Sequence, residues 1–261
     1  MPAIPNNIEA TSVMDLFSLK GKITLVLGGS RGIGAAVVRA FAEAGATVYF
    51  TYKSSNNCKK MAKDLAEKYD VPVFAVHCDA TDEKSIQDVI SNIAMSGNLD
   101  VVVSNAGICI SKSGIDMTTE EFNRTFALNV NGVFLAARAA GKVFKRQGFG
   151  SFIATASMSG SIVNVPQKQC AYNASKAAVI QLCKSLAIEW ADFARVNTVS
   201  PGYIITDMSE SSLREEWIRT SPFKRMAKPD ELKGAYVYLA SDASSFTSGS
   251  DLLVDGAYSC L

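Results

Sequence analysis

Tyr172 and Lys176 stand four residues apart in the run Tyr172-Asn173-Ala174-Ser175-Lys176. On a helix that spacing puts both side chains on one face, about one turn apart. A phenol titrates near ~10, too high for an efficient base at neutral pH, and an adjacent ammonium lowers that value by stabilising the phenolate. Such a pair suits proton transfer at a substrate oxygen. Ordinary amphipathic helices also carry Tyr/Lys pairs at this spacing, so the pair needs company before it means catalysis.

A second group of residues could hold a phosphate. Gly28-Gly29-Ser30-Arg31-Gly32-Ile33-Gly34 follows the compact apolar run 23–27 and precedes a stretch with helical periodicity that stops at Gly45. A strand-to-helix turn of this kind uses glycine for unusual backbone angles and for close approach to a pyrophosphate. The helix N-terminus then offers unpaired N–H groups and a partial positive charge. The spacing is G-x3-G-x-G, and a glycine turn that only joins strand to helix is the plainer alternative. Downstream, Thr51-Tyr52-Lys53-Ser54-Ser55 contains no acid to meet a ribose 2′-hydroxyl. Lys53 and Arg31, with the hydroxyls of Ser54 and Ser55, favour a 2′-phosphate, hence NADP(H).

The elements that must position these residues alternate along the chain. Short apolar runs begin near Ile23, Ala46, Val71, Leu99, Gly150, Arg195 and Asp251, separated by segments of helical period. Apolar runs without polar alternation read as strands buried on both faces, and strand–helix alternation then calls for an open, doubly wound parallel sheet. The expectation is a single Rossmann-type α/β domain over 18–261, preceded by a flexible arm over 1–17. A lid-like insertion is expected at about 206–227. One long helical stretch is predicted over 119–146.

Composition narrows the class. Twenty-six basic and 25 acidic residues leave a net charge of +1, so no global field favours nucleic acid or an anionic membrane. The six cysteines form no CxxC pair and no metal-ligand spacing with His77, the single histidine. They fit a reducing compartment. Neither a secretory leader nor a membrane span is legible, so a cytoplasmic protein without metal is expected. His77 is expected to pack at a strand end and Cys170 to be a buried, inert thiol.

Taken together, GGSRGIG, Asp79 of HCDAT, Ser104 to Gly107, Asn129, Ser157 of TASMSG, YNASK, SPGYIIT and VDGAY occur in one order across 19–258. In this the chain resembles the classical short-chain dehydrogenases/reductases. The resemblance implies an oxidoreductase acting on a CH–OH/C=O pair. Its catalytic set would be Asn129, Ser157, Tyr172 and Lys176: Ser157 donates to the substrate oxygen, Tyr172 transfers the proton, and Lys176 binds the nicotinamide ribose and lowers the tyrosine pKa. Asn129 would hold a relay water. The resemblance places the cofactor against Gly28, Ser30, Arg31, Gly32, Ile33 and Gly34, then Tyr52, Lys53 and Ser54. Asp79 and Ala80 would meet the adenine, and Asn105, Ala106, Gly107, Ile204 and Thr206 the rest, with Tyr172 and Lys176. Gly160, three residues after Ser157, selects Ser157 over Ser159 as the catalytic serine.

Two departures from the family pattern matter. Leu27 stands where the family has threonine, which predicts a missing hydrogen bond at the glycine loop. The interval from Ser157 to Tyr172 is fifteen residues, longer than usual. That interval, with the segments near Asp15 and Ser200, is similar to fungal NADP-dependent mannitol and sorbitol dehydrogenases and carbonyl reductases. The implied reaction is reduction of a ketone, either a ketose or a carbonyl of secondary metabolism. The alternatives are a cyclase or isomerase on the same scaffold, or a non-catalytic NADPH-binding protein. Substrate-pocket candidates are Cys109, Ile110, Ser159, Val165 and Gln169, with Met208, Leu213, Trp217 and Ile218 in a lid. This set reads as fairly apolar, and the lid residues equally fit packing on the domain or on a neighbouring subunit. The apolar faces of the helices around 134–145 and 177–190 imply a homotetramer, as in the family.

Overall fold

The computed structural model describes residues 12–55, 57–209 and 212–261. Seven strands, all parallel, form one sheet: β1 (Ile23–Leu27), β2 (Thr47–Tyr52), β3 (Val73–His77), β4 (Val101–Ser104), β5 (Ser151–Thr155), β6 (Arg195–Pro201) and β7 (Asp251–Val254). They lie in the order β3-β2-β1-β4-β5-β6-β7. Every residue of β4, β5 and β6 is buried, as the unbroken apolar runs require when helices cover both faces. The order reverses between β1 and β4, and a ligand crevice opens at such a point beyond the carboxyl ends of the strands.

Helices α1 (Gly32–Glu43), α2 (Cys58–Tyr69) and α3 (Glu83–Ser96) follow the first three strands. Gly45, at φ +93°, stops the chain after α1, a conformation that costs glycine least. The Asp82 carboxylate caps α3 by accepting from the N–H groups of Lys84 and Ser85. Two cores result. One packs Phe144, Phe152, Ile86 and Ile90 on one face of the sheet, and the other packs Phe41, Phe50 and Tyr236 on the opposite face. Burying each such side chain contributes roughly 1.5–3 kcal/mol.

The long helix expected over 119–146 is interrupted. It forms α4 (Thr119–Phe126), a π-helical turn (Ala127–Asn131) and α5 (Gly132–Gln147). Asn129 at the break turns its amide out of the helix to bond Ile108 and Ser175. Gly132 completes the fit, since a Cβ there would lie 2.6 Å from the Ala80 carbonyl. A local extra residue in the turn is the usual signature of such a functional bend.

Beyond β5 come α6 (Cys170–Glu189), α7 (Arg214–Thr220) and α8 (Lys233–Ala240). The segment 206–227 holds a 3₁₀ turn and α7. Of the arm expected over 1–17, residues 1–11 lie outside the described residues, while Asp15–Phe17 form a 3₁₀ turn. Cys170 is exposed at the start of α6 rather than buried, on the outer side of a turn whose next residue, Ala171, faces inward. Among the described residues no helix is long and apolar enough to cross a membrane.

Candidate active site

The carboxyl ends of the strands open into a cleft of about 1080 Å³. Of the residues expected in the catalytic set or against the cofactor, all but Gly34 and Asn129 line it. Gly28 sits at φ +75°, and a Cβ there would come within 2.9 Å of the Ala106 Cα. Gly34 is equally constrained, because its Cβ would fall on the Gly28 carbonyl and within 2.6 Å of Asn105 Nδ2. The N-cap position of α1, Arg31, makes no side-chain cap, so the first-turn N–H groups remain for an anion. A dinucleotide fits this cradle, and the volume exceeds what a small substrate alone needs.

The hydrogen bond expected to be missing at Leu27 is supplied from the neighbouring strand. The Gly28 N–H donates to Thr51 Oγ1 at 3.0 Å, and Gly29 N–H to the Thr51 carbonyl. Asn105 adds Nδ2 to the Gly28 carbonyl at 2.9 Å. The loop is therefore tethered on two sides. Thr51 escaped sequence reasoning because only the parallel register sets it beside the loop.

At the adenosine end, the two expected phosphate cations already have partners. Lys53 Nζ lies 2.6 Å from Asp79, and Arg31 lies 3.3 Å from Asp207. The Lys53 hydrogen bond, with two more from Thr81, holds the Asp79 carboxyl down at about 2. An incoming phosphate must compete for cations that carboxylates hold. His77, at the end of β3, braces this corner through Nε2 to the Lys53 carbonyl at 3.1 Å.

At the other end, β5 and α6 bring Ser157, Tyr172 and Lys176 together. Lys176 Nζ lies 5.6 Å from the Tyr172 ring centroid and donates to the Thr155 carbonyl at 2.8 Å. Ser157, not Ser159, is the serine near enough to the Tyr172 phenol to pull its pKa down. Gly160 permits this, because a Cβ there would sit 2.8 Å from the Lys176 main chain. Burial nevertheless dominates the phenol and pushes its pKa well above the ordinary value, with the neighbouring Cys109 adding to the rise. Burial also lowers the Lys176 ammonium to about 8, against an upward push from Cys109. Burial outweighs any lowering of the phenol and favours its protonated form.

The Asn129 side chain is held by three hydrogen bonds. Both hydrogens of its amide are committed, to the Ile108 carbonyl at 2.9 Å and Ser175 Oγ at 3.0 Å, while Oδ1 accepts from the Ile108 N–H. Its side chain has no donor left for a water.

The substrate wall is more polar than the sequence suggested. Cys109, Ser159, Gln169, Met208 and Trp217 line the cleft as expected, whereas Ile110, Val165, Leu213 and Ile218 do not. Asn164, Gln167 and Tyr203 join the wall unannounced. Two glutamines at alternate positions just before Tyr172 were the available signal. Gln169 Nε2 lies within 2.9–3.3 Å of three acceptors, Asn173 Oδ1, Asn164 Oδ1 and Ser159 Oγ, yet its Oε1 meets only the Cys109 thiol at 3.6 Å. Trp217 of α7 donates to Gln167 Oε1 at 3.0 Å and stacks on Tyr203 at 4.7 Å between centroids. Gln167 Nε2 in turn donates to the Tyr203 hydroxyl at 2.7 Å.

Comparison with known proteins agrees with this architecture. Residues 28–259 match a family model described as enoyl-(acyl carrier protein) reductase. An uncharacterized oxidoreductase of Schizosaccharomyces pombe is 49% identical over the whole of both chains. A probable NADP-dependent mannitol dehydrogenase of Yarrowia lipolytica is 48% identical, covering 95% of this chain and 91% of its own length. The crystal structure of an NADPH-dependent 3-quinuclidinone reductase from Rhodotorula rubra superposes with a TM-score of 0.94 at 43% identity, over 98% of this chain and 97% of that one. With the parallel sheet, the glycine cradle and the Ser157–Tyr172–Lys176 cluster in one cleft, the chain belongs to the short-chain dehydrogenase/reductase family of oxidoreductases.

Proposed function

We propose that this protein is an NADP(H)-dependent carbonyl reductase that converts a ketone to a secondary alcohol, with a polyhydroxylated ketose as its first substrate class. The observation that carries the reading is the union, in one cleft, of a half-buried, protonated Tyr172 with an amide-rich wall. When bound, the dinucleotide supplies the hydride for the carbonyl carbon. Tyr172 gives its proton to the substrate oxygen, and Ser157 steadies the charge developing there. Lys176, anchored on the Thr155 carbonyl, keeps two N–H bonds for the nicotinamide ribose. Lys53 and Arg31 exchange their carboxylate partners for the 2′-phosphate. Asn129 shapes the bend and the Ile108 loop, and a relay water at this residue would donate to one of its carbonyl oxygens, main-chain or Oδ1.

Gln169 Oε1 is the acceptor in the wall with the weakest existing partner, a thiol at 3.6 Å. A site that leaves such an acceptor favours a hydroxyl near the carbonyl, because an apolar group would leave it unpaired. The relatives named for mannitol fit that chemistry. The segment 206–227 acts as a lid, docked by Trp217 on Gln167 and Tyr203. NADPH consumption against ketoses and against a compact ketone such as 3-quinuclidinone tests the reading. Turnover of the ketose with a lower KM is expected; turnover of the other ketone alone overturns the ketose assignment.

Phe134 on α5 and Ile188 on α6 remain exposed, apolar positions that association would cover. The assembly proposed is a homotetramer, and a monomeric mass by light scattering at micromolar concentration contradicts it. Six free thiols suit the reducing cytoplasm.

A further inference from the structure

Thr155 ends β5 and touches both halves of the cleft. Its carbonyl accepts from Lys176 Nζ at 2.8 Å, while its hydroxyl lies 3.1 Å from Asn105 Oδ1 and 2.7 Å from the Tyr236 hydroxyl. Counting protons gives these contacts a direction. The Gly28 carbonyl can only accept, so the amide nitrogen of Asn105 must face it, at 2.9 Å. Asn105 Oδ1 therefore faces Thr155, and the single hydroxyl proton of Thr155 must go to it. Tyr236 is left as the donor to Thr155. The chain runs one way, from Tyr236 through Thr155 and Asn105 to the glycine loop.

Tyr236 makes this chain hard to replace. It lies on α8 with no exposed surface, and burial holds its phenol neutral. No solvent can take over its donor role, and an unmade bond here leaves a buried polar group unsatisfied. The glycine cradle is matched to the same chain, since a side chain at Gly34 would collide with both the Gly28 carbonyl and Asn105.

We propose that Thr155, with Tyr236 as its donor, is a positioning residue that fixes the glycine loop and Lys176 in register. One cofactor is then met correctly at its pyrophosphate and at its nicotinamide ribose together. This rests on the cofactor reading above. Neither residue touches the reacting atoms; both act through Asn105, Gly28 and Lys176.

The test uses Thr155→Val, Thr155→Ser and Tyr236→Phe in the full chain, reading the NADPH dissociation constant by fluorescence titration, kcat at saturating NADPH, and Tm. Thr155→Val is expected to weaken NADPH about tenfold and lower kcat by about tenfold, and Tyr236→Phe to weaken NADPH about threefold. Thr155→Ser, which keeps the hydroxyl, is expected within about twofold of the native protein on both readouts. A lower Tm with native dissociation constant and kcat in Thr155→Val would mark a merely structural role and overturn the proposal. Failure of Thr155→Ser to restore the native values would overturn it too. Should Thr155→Val not fold, Tyr236→Phe decides: a native NADPH constant there refutes the chain. Native protein that binds no NADPH refutes the cofactor reading instead, and this proposal with it.

Discussion

At the nicotinamide end of the cleft Lys176 is 4% exposed and hydrogen-bonded to main chain. At the adenosine end the side chains of Lys53 and Arg31 are 67% and 77% exposed and paired with carboxylates. The same residue types thus serve two purposes. In the buried end, low solvation sets protonation states, and geometry is held by bonds that water cannot replace. In the exposed end, ion pairs are screened and weak, so a phosphate can displace them at little cost. The proposed chemistry falls where side chains are buried and hydrogen-bonded, and the proposed cofactor selection where partners can be exchanged.

The sharpest way to break this comparison is at Tyr172. Tyr172→Phe keeps the ring and removes the proton donor, and the expected loss in kcat is about 10³-fold, within the usual worth of a positioned acid. NADPH affinity, measured by fluorescence titration, should stay near native. Comparable turnover in the variant would mean that the buried end does not carry the proton transfer.

At the opposite end, replacing Lys53 and Arg31 together by alanine should weaken NADPH on the order of 10- to 100-fold and NADH far less, as loss of charge-assisted phosphate contacts implies. Added salt should weaken NADPH in the native protein and leave kcat unchanged. Equal effects on both dinucleotides would remove the distinction between the ends.

pH separates them further. Lys176 is lowered to about 8, so its ammonium is complete below that value and lost above it. The neighbouring Cys109 thiol and Tyr172 phenol are both pushed up by burial and stay neutral across this window. Reductive kcat/KM should therefore fall as pH rises through about 8, by about tenfold per unit beyond it. A profile flat to pH 10 would show that the lysine charge is not needed.

The smallest effect is expected at the lid. Trp217→Phe keeps the stacking on Tyr203 and loses the bond to Gln167, and about 0.5–1.5 kcal/mol of docking should go with it. KM for the ketone should rise a few-fold with kcat nearly native. A larger loss in kcat would give the lid a part in the chemistry.

Much of this was legible in the residues. The seven strands appear as apolar runs because a sheet covered on both faces admits few polar side chains, and Ser157, Tyr172 and Lys176 could be named from spacing and family resemblance. The break at Asn129 was not legible: the pattern on either side is helical, and only the bonds to Ile108 and Ser175 make the bend. Thr51, Thr155 and Tyr236 were invisible for a similar reason, since each acts on a residue far away in the chain. The polar wall was underestimated because Gln169 was the one amide read into the pocket, while Asn164 and Gln167 belong to a loop whose polarity faces inward only once the fold buries them.

The amino-acid sequence alone determined the doubly wound sheet, the glycine cradle, and the identity of the residues gathered at its mouth. The sheet and the cradle follow from local periodicity and a short motif, whose physics is contained within a few neighbouring residues, and the residues at the mouth were named by the family resemblance. Protonation and partnership were decided only by the tertiary structure. Desolvation keeps Tyr172 a phenol and lowers Lys176, while register lets Thr51 stand in for a missing threonine. Both depend on what surrounds a group in space, and spacing along the chain carries no record of that.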